Sequence, residues 1–392
     1  MATPTTTTRS GIDQILAQAV ADGAVPSVVA IAADRNGIIY EGAAGPLVAG
    51  QHDSVSIDSH YRVMSMTKII VVTVAMQLAE RGTLDLDAPV TRYCPEFAEL
   101  QVLDGFDGGT PRLRPPVSQA TIRQLITHTA GLSYWFWNAE IVKWEVATGV
   151  PNVLSGLNEI FKAPAVADPG AKFEYGINID WLGKVIEAAS GVRLDEAVRR
   201  GVTKPLGMDQ TTFLISDAQR ANAVPVHLPG EGGAWGASEI ELNQQPEYFS
   251  GGHGLYSTPR DYLKFQRALL GGGTSPDGVK ILEPATVDAA FNNQIGGLDF
   301  PAEITTADPT ASNTVAVGPG YKWGHGLLLN TQDIPGCRRA GTGAWYGLFN
   351  THFWVDCTTG ITAAIYSQSL PFGPEPAMRL FQDFEAALYA SL

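Results

Sequence analysis

From residue 69 to residue 79 the chain is apolar nearly all round. A helix with no polar face has to be enclosed by the rest of its fold. This segment, with Gly82 as its stop signal, is therefore expected to be a central, buried helix. The flanking segments supply what encloses it. Ile12, Ile15, Leu16, Ala19 and Val20 recur at helical spacing. Residues 28–33 and 38–40 are β-rich and joined through Asn36-Gly37, a tight-hairpin signal. The short strand Tyr61-Arg62-Val63 leads into the central helix. Residues 121–127 and 179–189 read as further helices, and Thr258-Pro259 opens another that ends at Gly271. Residues 322–329, 345–356 and 360–368 read as antiparallel strands, and 378–390 as a closing amphipathic helix. Strands at both ends with helices between them predict an α/β (α+β) fold: an antiparallel sheet flanked by N- and C-terminal helices, beside a mostly helical lobe. The expected division is residues 1–64 together with 251–392 for the sheet-bearing domain, and 65–250 for the mainly helical one.

Bulk properties narrow the functional classes. At 392 residues the chain exceeds one minimal core. A hydrophobic content of 45% with 25 prolines fits a folded globular protein. A net charge of −14 argues against nucleic acid as a partner, because phosphates need Lys and Arg to neutralise them. It also disfavours anionic membrane surfaces, and no stretch of about 18 apolar residues exists to span a membrane. Residues 1–10 are polar and threonine-rich, without the apolar core of a secretory signal. Three cysteines, Cys94, Cys337 and Cys357, suit a reducing cytoplasm. Cys337 and Cys357 flank an expected hairpin, which leaves a disulfide between them open.

The segment Ser65-Met66-Thr67-Lys68 joins the short strand to the central helix. A serine at a helix start lies near free amides and the positive end of the dipole. A lysine three residues on comes round to the same face. Together they can be nucleophile and proton acceptor, since a serine hydroxyl is inert until a neighbour takes its proton. An N-capping serine followed by a solvent lysine would give the same letters. Competing hydrolase designs lack their motifs: there is no G-x-S-x-G elbow and no H-E-x-x-H, and the seven histidines are scattered. No metal, nucleotide or flavin motif is present, so no cofactor is expected.

Several segments, in order, carry a resemblance over almost the whole chain. They are the hairpin of residues 28–40, Tyr61-Arg62-Val63-Met64-Ser65-Met66-Thr67-Lys68, Gly82-Thr83-Leu84-Asp85-Leu86-Asp87-Ala88-Pro89-Val90 and Leu125-Ile126-Thr127-His128-Thr129-Ala130-Gly131-Leu132. Phe173-Glu174-Tyr175, Gly254-Leu255-Tyr256-Ser257-Thr258 and Phe353-Trp354-Val355-Asp356 follow. On these the chain resembles the serine β-lactamase and penicillin-binding-protein superfamily, and most closely the class C-like carboxylesterases (family VIII esterases). The resemblance implies a β-lactamase/transpeptidase-like fold. It also implies Ser65, Lys68 and Tyr175 as catalytic residues, with the main-chain amides of Ser65 and Leu348 as the oxyanion hole. A free phenol titrates near pH ~10. The Lys68 ammonium is expected to favour the Tyr175 phenolate and make the two a coupled pair.

Departures from the lactamase pattern point to esters. The asparagine that follows the tyrosine by two residues is replaced by Ile177, with Asn178 one position late. In place of Lys-Thr-Gly the resemblance puts Trp345-Tyr346-Gly347, a neutral hydrophobic wall that cannot attract a substrate carboxylate. A second registration puts Thr342-Gly343 there, with Arg338 and Arg339 able to supply a cation. Trp345, Gly347, Trp135 (within the run Tyr134-Trp135-Phe136-Trp137) and His253 are candidate substrate contacts. Core packing for the aromatics and solvent exposure for His253 are the alternatives. His128 reads as structural, Trp323 as core, and His325 as a strand residue. The expected function is a serine carboxylesterase acting on a small-molecule ester through an acyl-enzyme. A β-lactamase or D-alanyl peptidase, or an acyltransferase of the same fold, is the alternative.

Overall fold

Residues 28–34 are buried on both faces, and the two faces serve different layers. In this computed structural model, which describes residues 6–392 with side chains from Ser10 onward, the strand Val28–Asp34 lies inside a seven-stranded antiparallel sheet. The order across the sheet is Tyr321–Trp323, Leu328–Asn330, Gly343–Gly347, Thr351–Asp356, Ile361–Tyr366, Val28–Asp34, Ile38–Ala44. Strand side chains alternate between faces. Val28, Ala30 and Ala32 pack with Ile12, Leu16, Leu380, Phe384 and Leu388 of the terminal helices Thr6–Ala21 and Glu375–Ala390. Val29, Ile31 and Ala33 face the larger core, which holds Phe265, Leu269 and the central helix. The N- and C-terminal parts of the chain join through Val28–Asp34 and Ile361–Tyr366, with Val29 opposite Tyr366 and Asp34 opposite Ile361.

The central helix runs Thr67–Glu80, with every residue from Thr67 to Leu78 buried, and Gly82 follows at φ +71°. It packs on the helix Asn178–Ser190. The helix Pro259–Leu270 opens with Thr258 as N-cap, its side chain accepting from the Asp261 amide, and lies against the sheet. The helix Ile122–Ile126 opens on a capping box between Thr121 and Gln124.

Some expected elements differ. Residues 322–329 are not one strand but the hairpin of Tyr321–Trp323 and Leu328–Asn330, so His325 sits in its turn, with Gly326 at φ +80°. Residues 345–356 likewise fold back on themselves, as Gly343–Gly347 and Thr351–Asp356. The reversal passes through Asn350 at φ +61°, a conformation asparagine tolerates. Its amide donates to the Ser369 and Pro371 carbonyls at 2.9 and 3.1 Å, while Gly373 N donates to its Oδ1 at 2.9 Å. An apolar run conceals such a turn because tertiary tethers make it. The Asn36-Gly37 hairpin forms without positive φ at either residue. The Asp34 carboxylate makes the turn instead, accepting from the amides of Asn36 and Gly37 at 2.7 and 2.9 Å. Two hairpins in the middle of the chain, Val102–Asp107 with Thr110–Arg114 and His227–Pro229 with Trp235–Ala237, have no counterpart in the sequence reading.

Cys94, Cys337 and Cys357 are free thiols. Among the described residues no helix is long and apolar enough to cross a membrane. The reading of residues 1–10 as lacking a secretory signal lies outside the described residues, apart from the helical backbone from Thr6.

Candidate active site

The strand Tyr61–Arg62 is pinned to Tyr256–Ser257, and Val63 N donates to the Leu255 carbonyl at 3.1 Å. The chain then turns sharply. Met64 has φ +47°, which for a non-glycine costs of the order of 1–3 kcal/mol and has to be held by its surroundings. The 3₁₀ turn Met64–Met66 carries Ser65 directly into the central helix. The turn is clamped from behind, where the Tyr262 hydroxyl donates to the Met66 carbonyl at 2.8 Å and Leu255 N donates to Thr67 Oγ1 at 3.1 Å. In front it meets the strand Gly343–Gly347. A Cβ on Gly347 would lie 2.5 Å from the Val63 carbonyl and 3.1 Å from Met64 Cβ. Only glycine allows this approach, and the next residue, Leu348, lines the cavity that Ser65 also lines.

Lys68 is fully buried. Its hydrogen bonds among the described residues go to Ser65 Oγ at 3.0 Å, Tyr134 Oη at 3.1 Å and the Gly252 carbonyl at 2.7 Å. Burial lowers its pKa to about 7, with the carboxylate of Asp180 acting the other way. The partners fix how a neutral amine would sit. The Gly252 carbonyl only accepts. Tyr134 directs its own proton toward Asp180 Oδ2, 3.4 Å away, so its oxygen accepts from Lys68. Both N–H bonds are then committed and the lone pair is left facing the Ser65 hydroxyl. Asp180 is held by Ser250 Oγ at 2.5 Å and Gly252 N at 3.1 Å.

The Tyr175 phenol lines the same cavity as Ser65, whose hydroxyl acts to lower its pKa. The Trp345 indole Nε1 donates to the Tyr175 oxygen at 3.0 Å. The expected Lys68–Tyr175 pairing is corrected here. The Lys68 nitrogen lies 4.7 Å from the centre of the Tyr175 ring, over its face, and its hydrogen bonds go elsewhere. Burial pushes the phenol pKa up, beyond what hydrogen bonds from Ser65 and Trp345 offset. The group poised near neutrality is the amine, and the phenol stays protonated.

A cavity of about 40 Å³ opens beside Ser65. Trp345, Tyr346, Gly347 and Leu348 form one wall, and Phe136, Trp137 and Tyr175 another. Ile304, Ser312 and Phe372 close the far side. Among the described residues no charged side chain lines it. Arg338 is paired with Glu385 at 2.7 Å and Arg339 with Asp333 at 2.9 Å, so neither supplies a cation there. Two candidate contacts are elsewhere. Trp135 turns its indole N–H to Asp308 Oδ2 at 3.0 Å, leaving its neighbours Phe136 and Trp137 at the cavity. His253 is buried rather than exposed and lies behind Lys68, its Nδ1 2.7 Å from Ser250 Oγ. Burial lowers its pKa to about 4. Asn178 faces away from Lys68 and ties His128 Nδ1 to the carbonyls of Leu132 and Glu174. Trp323 is fully buried, edge-on to Trp345 with ring centres 4.6 Å apart.

Tyr134, Asp180 and Ser250 escaped the sequence reading as parts of the site. Asp180 left the clearest trace, an acid on the mostly apolar buried face of the helix Asn178–Ser190. Among the described residues no three His, Cys, Asp or Glu side chains gather as a metal site would require.

Comparisons with known proteins identify the family and the fold. A family model described as β-lactamase matches residues 12–388. The chain is 30% identical to a lovastatin esterase of Penicillium rubens, over 96% of this chain and 98% of that protein. It is 29% identical to a monacolin J acid methylbutanoyltransferase of Aspergillus terreus, over 86% and 83%. The solved structure of simvastatin synthase (LovD) from Aspergillus terreus superposes with a TM-score of 0.84 at 27% identity, over 98% of each chain.

Proposed function

The chain belongs to the β-lactamase family of serine hydrolases, and from that premise we propose that it is a carboxylesterase working through an acyl-enzyme on Ser65. The observation that carries the reading is an uncharged cavity with Ser65 at its edge and a buried, near-neutral Lys68 directed at the hydroxyl.

The Lys68 lone pair takes the Ser65 proton as Oγ bonds to the ester carbonyl carbon. The carbonyl oxygen becomes an oxyanion between the amides of Ser65 and Leu348, where loss of one donor typically costs ~10²–10³ in kcat. As the C–O bond to the alcohol breaks, the protonated Tyr175 gives its proton to the leaving alkoxide, which leaves a phenolate beside the Lys68 ammonium. Water then attacks the acyl carbon and gives its proton to the Tyr175 phenolate, and as the acid leaves the Lys68 ammonium returns a proton to Ser65 Oγ, which restores neutral amine, phenol and hydroxyl. Trp345 holds the Tyr175 oxygen in place. Tyr134, anchored by Asp180, aims the Lys68 lone pair.

The cavity suits a short acyl group. At about 40 Å³ it is small, and its lining is apolar and aromatic. The missing cation weighs against penicillins and D-alanyl peptides, whose carboxylate needs a partner. The family VIII esterase branch is the closest fit, by the Trp345-Tyr346-Gly347 pattern. The likeness to a methylbutanoyltransferase supports a second reading in which an alcohol replaces water at the acyl-enzyme. The free thiols fit work in a reducing compartment such as the cytoplasm.

The test is a panel of 4-nitrophenyl esters, a chromogenic cephalosporin and a D-alanyl amide, run on wild type and Ser65→Ala. Ester turnover that disappears in Ser65→Ala is expected. A cephalosporin cleaved far faster than every ester would end the esterase reading.

A further inference from the structure

Ile304 and Ser312 of the cavity lining belong to a flap rooted in the pairing of Glu303–Ile304 with Val315–Ala316. Two seams hold it in place. Along one, Asn313 N donates to the Phe372 carbonyl at 2.8 Å and Phe372 N donates to the Ala311 carbonyl at 2.9 Å. A third bond runs from Asn313 Nδ2 to the same Phe372 carbonyl at 3.1 Å. The other seam faces the aromatic segment that carries Phe136 and Trp137. One main-chain bond crosses it, from Ala307 N to the Phe136 carbonyl at 2.9 Å. The second crossing is the bond from Trp135 Nε1 to Asp308 Oδ2 at 3.0 Å.

Asp308 divides its oxygens between two tasks. Oδ1 accepts from Thr310 N at 3.0 Å and from Thr310 Oγ1 at 2.7 Å, which shapes the tip of the flap itself. Oδ2 reaches across to the indole. An N–H bond to a carboxylate is stronger than one between neutral groups, and here the donor Trp135 is buried while Asp308 is half-buried. Neither residue lines the cavity, but each is fixed to chain that does: Trp135 to Phe136 and Trp137, Asp308 to Ile304 and Ser312.

We propose that the Trp135–Asp308 bond is a latch that sets the size of acyl group the site accepts, with both as positioning residues for specificity. This rests on the esterase reading for its assay. With the latch closed, the thinly stitched seam stays shut and the cavity keeps its small volume. With it open, that seam is the one that yields, because the opposite seam has more bonds, and longer acyl chains enter between Trp137 and Ile304.

Trp135→Phe deletes the N–H and keeps a ring in the core, so it isolates the latch. Asp308→Ala removes the acceptor and also loosens the flap tip. The measurement is kcat/KM for 4-nitrophenyl acetate and octanoate in wild type, each single variant and the double variant, with Tm recorded for each. Each methylene a pocket accepts or refuses is worth at least about tenfold, so the octanoate-to-acetate ratio is expected to rise about tenfold or more in both single variants. The double variant should rise no further, and acetate kcat/KM should stay near wild type. A wild-type ratio in Trp135→Phe overturns the latch, whether or not Asp308→Ala moves it. If wild type cleaves no ester, the esterase reading falls. The latch is then judged by how fast methyl and octyl phosphonofluoridates label Ser65, read by intact mass, with the same ratio deciding.

Discussion

The Trp345 indole and the Tyr175 phenol are joined by one hydrogen bond of 3.0 Å, indole donating. That bond takes up a lone pair of the phenol oxygen and holds the phenol at the cavity that Ser65 lines. Tyr175→Phe removes the proton donor and is expected to lower kcat by ~10²–10⁴, the usual worth of a positioned acid or base. Trp345→Phe keeps the packing and loses only the donor, so its loss should be smaller and fall on kcat more than KM. Steady-state kinetics on one activated ester distinguishes the pair. Near-normal turnover in Tyr175→Phe would remove it from the mechanism.

Lys68 gives a pH signature. The amine must be neutral to take a proton, and burial holds its pKa to about 7. So kcat/KM should rise about tenfold per pH unit below that value and level off above it. Asp180 raises the Lys68 pKa. Asp180→Asn should therefore move the acid limb to lower pH, with activity persisting where wild type has lost it. A limb that stays put, or moves to higher pH, contradicts this electrostatic role.

Tyr134 shares no bond with a substrate in this scheme, but it holds one N–H of Lys68 at 3.1 Å. In Tyr134→Phe the amine is free to rotate its lone pair away from Ser65. A loss of about 10–100-fold in kcat with KM little changed is the expected result, on the scale of misaligned catalytic geometry. A rise in KM alone would place Tyr134 with the substrate instead.

Gly347→Ala should damage stability and activity together. The added methyl would meet the Val63 carbonyl at 2.5 Å, a backbone atom that cannot swing aside. Overpacking of this kind costs about 1–3 kcal/mol. Moving the strand off the Met64 turn would also displace Leu348, whose amide is the second donor of the proposed oxyanion hole. Thermal unfolding and burst kinetics on one ester test both halves. A variant with wild-type Tm and turnover would show that the strand has more room than its packing indicates.

Much of this architecture is legible in the chain itself, where local chemistry and final environment agree. The all-apolar run became the enclosed helix Thr67–Glu80, and Thr258-Pro259 capped its helix as such a pair should. Ser65 and Lys68 adjoin because one helical turn dictates it. What escaped depends on contacts between distant residues. Asn350 reverses the chain only because Ser369, Pro371 and Gly373 hold its side chain. Trp135 left the cavity for a carboxylate more than 170 positions away. The Lys68–Tyr175 expectation failed because it counted a neighbouring charge and not the burial of both groups, which is visible only in three dimensions.

The pairing of Val28–Asp34 with Ile361–Tyr366 has a consequence for biosynthesis. The first strand leaves the ribosome about 330 residues ahead of its partner, an interval of about 15–65 s at ordinary elongation rates. Until the partner emerges, the amino-terminal hairpin has one open edge and the apolar helix behind Ser65 lacks part of its cover. Nascent chains in that window are the natural clients of chaperones, and a premature stop codon before residue 361 would leave an aggregation-prone fragment instead of a weakened enzyme.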